Sequence, residues 1–179
     1  MGLFRKKTLN STDLALIFLR NLTRGMLYTL PSDGKLLQEW FSDKSQEERQ
    51  EVYNELQYLR AVTMDWAIRG VLPQPLGKHV LNEFRKEFEK AGNKIAICSP
   101  DACPYYHLYI DRLERYERVM RETKDGETLR SELGKVFTSS CGVNEDPRIA
   151  TRVTAEFGFM RRCVSSFVKE IQRRYKLMP

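Results

Sequence analysis

The sequence predicts an all-α fold, an irregular bundle of six or seven helices with a long C-terminal helix. Three observations predict it. Apolar residues recur every three to four positions along most of the chain, the period of a helix and not of a strand. The periodic stretches begin with capping residues or Pro and end with Gly or Pro. No internal repeat is present, which sets solenoid architectures aside.

Residues 1–10 are polar, basic and aperiodic, and are expected to form a flexible N-terminus, with 11–179 a single helical domain. Ser11, Thr12 and Asp13 offer side-chain oxygens for the orphan amides of a first helical turn. The helix they open is expected to run to about Leu30. Its stretch Leu14 to Leu19 is apolar all round, which suits burial on several sides. That run is far below the roughly 18 residues a membrane span needs, and Arg20 and Arg24 follow it. Gly2 lacks the Ser or Thr of a myristoylation signal, since Lys6 stands there.

Pro31-Ser32-Asp33-Gly34 reads as a turn and Lys35 to Phe41 as a short helix. Ser45 and Glu48 have the spacing of a capping box. Val52, Leu56, Leu59, Thr63 and Trp66 continue the helix, and Gly70 and Pro73 stop it. The next helix carries Leu76, Val80, Leu81, Phe84 and Phe88 and is expected to stop at Gly92, with Lys94 to Cys98 a loop. Pro104 restarts the helix, and Tyr106, Tyr109, Leu113, Tyr116 and Met120 step by alternating threes and fours. After Lys124-Asp125-Gly126, a shorter helix carries Leu129, Leu133, Val136 and Phe137, with Gly142 as its C′ residue. Asp146-Pro147 then starts a last helix of about thirty residues. Its core stripe is Ile149, Val153, Phe157, Met160, Val164, Phe167 and Ile171.

Charge is segregated along the chain. The net charge is +6. Residues 147–179 hold eight basic residues against Glu156 and Glu170 alone, so they account for the whole excess. Residues 1–25 hold five basic residues against Asp13, and the middle of the chain is acidic in balance. On a helical wheel Arg148, Arg162, Lys169 and Arg173 fall opposite the apolar stripe of the last helix, with Lys176 just beyond them. Such a ridge suits an acidic protein surface first, with nucleic acid and an anionic membrane surface as alternatives. The plainer reading is a solvated face favoured by cations near a helix C-terminus. The acidic middle and the absence of any helix-turn-helix, zinc-finger or RNP pattern argue against a dedicated nucleic-acid module.

Two constellations bear on chemistry. Cys98, Cys103 and His107 are metal-ligand types, and Cys103 and His107 sit one helical turn apart. The paired C-x2-C spacing is missing, and a fourth ligand would have to come from far along the chain. Tyr105, Tyr106, Tyr109 and His107 could line a pocket, although an aromatic stripe at this spacing more often faces the core. No phosphate loop, dinucleotide fingerprint, nucleophile elbow or zincin motif is present, so no motif assigns a reaction and no cofactor is expected. Four cysteines without a secretion signal read as free thiols in a cytoplasmic protein.

The residues thus lead to a non-enzymatic helical interaction or regulatory protein that uses its basic C-terminal helix. The alternative is a small-ligand- or metal-binding bundle, catalytic or not, with a site at the tyrosines and the Cys98/Cys103/His107 cluster.

Overall fold

The computed structural model describes residues 7–22, 42, 44–98, 105–123, 125–142 and 147–178, with backbone alone for 91–98 and 105–107. The fold is all-α, as the periodicity predicts. Helix α1 covers 11–22, followed by α2 (Gln46–Val71), α3 (Leu76–Cys98), α4 (Tyr105–Glu122), α5 (Gly126–Ser140) and α6 (Pro147–Arg174). The turn at 31–34, the short helix at 35–41 and the continuation of α1 to Leu30 lie outside the described residues.

Local chemistry sets most boundaries. Ser45 and Glu48 form the expected capping box, with Glu48 N donating to Ser45 Oγ and Ser45 N to Glu48 Oε2. A second box opens α1 one residue earlier than predicted. Asp13 N donates to Asn10 Oδ1 at 2.8 Å, and Asn10 N donates to Asp13 Oδ2 at 3.3 Å. Asn10 is therefore the cap, and Asp13 is its reciprocal partner at the third helical position. Asp125 caps α5 through the amides of Glu127 and Thr128. Beyond the end of α5, Gly142 has φ +66°, the left-handed conformation that glycine adopts without a Cβ penalty.

Helix α3 departs from expectation. It does not stop at Gly92 but continues through the predicted loop at Lys94 to Cys98. A run of five residues with four apolar ones is too short for periodicity to tell helix from extended chain. A single glycine inside a helix costs only about 1 kcal/mol.

The centre of the molecule is α2, which packs against α3, α4, α5 and α6. Every residue from Glu55 to Asp65 is buried, so no face of this stretch meets solvent. The longest helix, α6, lies along α2 and α5 and turns Ile149, Val153, Phe157, Val164, Val168 and Ile171 into the core. Each such side chain contributes about 1.5–3 kcal/mol relative to exposure. Helix α1 joins the core through Leu14, Ala15, Phe18 and Leu22, with Phe18 edge-on to Phe167 at 5.6 Å between centroids. Between α5 and α6 the approach is very close, since a Cβ on Gly134 would stand 2.6 Å from that of Ala150.

Two short strands complete the fold. Lys7–Leu9 (β1) pairs in parallel with Tyr175–Leu177 (β2), with Thr8 opposite Lys176. Met178 N extends the pairing by donating to Leu9 O at 3.0 Å.

Candidate partner-binding surface

The outer face of α6 follows from the helix period. With its apolar stripe turned inward, the side chains half a turn away project into solvent. Arg148, Arg162, Lys169 and Arg173 are all exposed, as is Lys176 on β2. All five basic residues picked from the sequence thus lie on the surface, and four of them share one helix face.

The two acids of this segment neutralise only part of that charge. Glu156 is buried and accepts from Arg60 Nε at 2.6 Å, with Arg152 at 3.4 Å on its other oxygen. Glu170 pairs with Arg173 at 2.8 Å and Arg174 at 2.5 Å. The hydrogen bond from Arg173, with that from Arg174 behind it, holds the Glu170 carboxyl below its ordinary value. Arg161 lies 5.0 Å from the Trp66 ring centroid, a cation–π contact that ties it to α2. Among the described residues, Arg162, Lys169 and Lys176 have no carboxylate partner.

The strand pair adds to this surface. The register places Lys7 beside Tyr175 and Thr8 beside Lys176, so the basic N-terminal segment meets the basic C-terminal one. Three-residue strands leave no periodic signature, so this convergence has no signal in the sequence.

Sequence reasoning also missed a buried polar network on α2. Glu55 accepts from Arg112 Nε at 2.7 Å and from Tyr116 Oη at 2.8 Å. Arg60 reaches Glu156 on α6 and Gln57 at 3.3 Å. Asp65 accepts from Arg85 Nε at 2.7 Å, Arg69 at 3.1 Å and Tyr109 Oη at 3.0 Å. Arg69 bridges onward to Glu117 at 2.6 Å. Each buried charge on α2 thus meets its opposite on a different neighbour. The signal available was charge spread around an apolar stripe, which more often marks solvent-facing positions.

Of the tyrosines assigned to a pocket, Tyr109 is fully buried with its hydroxyl on Asp65. Burial, together with the adjacent Asp65 carboxylate, pushes the Tyr109 hydroxyl well above its ordinary value, so it stays a neutral donor. Tyr116 is held the same way against Glu55. The side chains of Tyr105, Tyr106, His107 and Cys98, and the whole of Cys103, lie outside the described residues. Among the described residues no group of three His, Cys, Asp or Glu side chains is arranged to hold a metal ion. Cys141 is a buried thiol donating to Phe137 O, and Cys163 is an exposed one.

An open groove of about 470 Å³ runs along the seam where α5 meets the start of α6, lined by Arg130, Gly134, Thr138, Ala150 and Thr151 among others. No helix among the described residues is long and apolar enough to cross a membrane. The chain matches no protein-family model, no curated protein and no solved structure.

Proposed function

We propose that this protein is a non-enzymatic helical binding protein of the cytoplasm that takes an acidic partner on the outer face of α6. The observation that carries the reading is the surplus of exposed cations there. Glu156 is turned inward to Arg60, and Glu170 is shared between two arginines, so Arg162, Lys169 and Lys176 face solvent without a carboxylate among the described residues. A solvated helix face ordinarily mixes signs, because opposite charges at i and i+4 stabilise it. Apart from Glu170 near its end, this face carries one sign, which raises the local potential for an anionic partner. Lys7, brought alongside by the strand pair, extends the same field.

The test is titration of a fluorescein-labelled poly-glutamate peptide, followed by anisotropy. Wild-type protein is expected to bind at low salt and to release the peptide near 1 M salt, where the screening length falls to about 3 Å. Combining Arg162→Glu, Lys169→Glu and Arg173→Glu is expected to weaken binding about tenfold or more, equivalent to about 1.4 kcal/mol. The helical circular-dichroism signal should be unchanged, since all three side chains are exposed. A triple variant that binds like wild type would reduce the ridge to a solvated face.

A further inference from the structure

We propose that the acidic partner presents an amphipathic helix, laid along α6 with an apolar side chain seated beside Phe159. This inference rests on the reading of an acidic partner and adds its shape.

The outward positions Arg152, Ala155, Phe159, Arg162, Ser166, Lys169 and Arg173 are separated by alternating steps of three and four. That is the spacing of a helix seam made to face a second helix. The inward stripe of α6 is already spent on the core, so the outward seam is a separate one. From Arg152 to Arg173 it spans about 30 Å at 1.5 Å per residue, the length of a partner helix of about 20 residues.

Within this seam, Phe159 is 52% exposed. Only Met178 is a comparably exposed large apolar residue among those described. Ala155, Gly158, Phe159 and Arg162 stand at i, i+3, i+4 and i+7, the four corners of a hole that receives one side chain from a facing helix. Two corners are small, and the flexible end of the Arg162 side chain lies over one of them, Gly158.

Gly158 is the informative corner. Its φ is not positive, and a Cβ there would touch only the end of the Arg162 side chain, at 3.4 Å. Neither backbone conformation nor internal packing requires glycine at this position. Yet glycine inside a helix costs about 1 kcal/mol relative to alanine. Gly134 is the contrast, since Ala150 closes directly over it. A docked side chain supplies the reason that the chain's own packing does not. Cations border the hole, with Arg162 at its corner and Lys169 two turns beyond. The partner's apolar anchor is thereby framed by carboxylates, an aromatic contact within a charged rim.

A membrane fits less well. An interfacial helix buries a whole apolar face in lipid, whereas here one phenylalanine stands among cations. A nucleic-acid backbone answers the cations but leaves the hole without an occupant.

The test uses two synthetic peptides of about 21 residues and equal negative charge. One is a Glu-rich amphipathic helix with leucine along one seam, and the other carries two central prolines that break the helix. Anisotropy titration is expected to show the helical peptide binding about tenfold tighter or better. Phe159→Ala and Gly158→Gln should each weaken the helical peptide by about tenfold and leave poly-glutamate binding unchanged. Gly158→Gln raises helix propensity, so misfolding does not explain a loss. Equal binding of the two peptides, or undisturbed binding by both variants, would overturn the helix proposal and leave the acidic-partner reading standing. If neither peptide nor poly-glutamate binds, both readings fall. Tighter binding to duplex RNA or phosphatidylserine vesicles than to the helical peptide would also overturn the proposal.

Discussion

Arg60 is 2% exposed, and its Nε lies 2.6 Å from Glu156 Oε1 across the α2–α6 contact. Moving either charge out of water alone costs several kcal/mol, and their attraction offsets that only because both are present. Glu156→Ala is therefore expected to destabilise the fold by about 3–5 kcal/mol, as it strands a buried guanidinium. Replacing both partners, Arg60→Met with Glu156→Leu, should recover most of the loss, because an apolar pair of similar size carries no desolvation cost. Urea denaturation of the three variants separates the cases, and a double variant no better than the single would refute the account. Glu55 supplies the pH-dependent counterpart. Burial raises its carboxyl above the ordinary 4.5, despite the bonds from Arg112 and Tyr116 that pull it down. The folded chain therefore holds this proton more tightly than the unfolded chain does. The stability linked to it is fully present below the unfolded value and is lost as pH rises through the higher folded one. Compared with Glu55→Gln, wild type should lose urea resistance as pH rises above the ordinary carboxylate value. A difference that stays flat over that range would contradict the raised value.

At the scale of the helix, propensity and packing make opposite demands at Gly134. Glycine to alanine in a helix interior ordinarily gains about 1 kcal/mol. Here the new methyl would sit 2.6 Å from Ala150 Cβ and 2.9 Å from Ala150 Cα, so the backbone of α6 would have to shift. Overpacking of this kind costs about 1–3 kcal/mol. Gly134→Ala is thus expected to lower the thermal midpoint, whereas Gly158→Ala, which meets only a flexible side-chain end, should leave it level or raise it. A scan showing both variants stabilised would disprove the close contact. The elements themselves were largely legible before the structure. Ser45 with Glu48, Asp125 before Gly126, and Gly142 are local signals whose chemistry acts within one turn, and each boundary fell where they put it. The inward face of α6 was equally legible, because one side of a long amphipathic helix must be buried. What resisted reading was non-local. Glu55, Arg60 and Asp65 stand about 140° apart on a wheel, so they mark no single face, and only their partners on α4, α6 and α3 make burial tolerable. Helix α3 ran past Gly92 because one glycine is a weak stop.

Over the whole molecule, charge that is separated in sequence is gathered in space. Residues 1–25 and 147–179 are the two basic portions, and the pairing of β1 with β2 joins them. Leu9, Tyr175 and Leu177 lie half-buried against the core, so the pair is anchored by apolar contact as well as by its ladder. Their apolar anchoring makes the clasp a means of holding Lys7 opposite Tyr175, one step along the ladder from Lys176 and close to the end of α6. Deleting residues 175–179 removes the cation of Lys176 and also frees β1 from its partner. Lys176→Ala removes the cation alone. If the clasp organises the surface, the deletion should weaken poly-glutamate binding at low salt more than Lys176→Ala does. The two variants should converge near 1 M salt, where charges more than about 3 Å apart are screened. Equal affinities at low salt would mean that Lys7 contributes nothing through its placement, leaving α6 and Lys176 as the whole of the binding surface. A larger loss in the deletion, relieved by salt, would assign part of the affinity to the meeting of the two chain segments, since it is their juxtaposition that salt would screen.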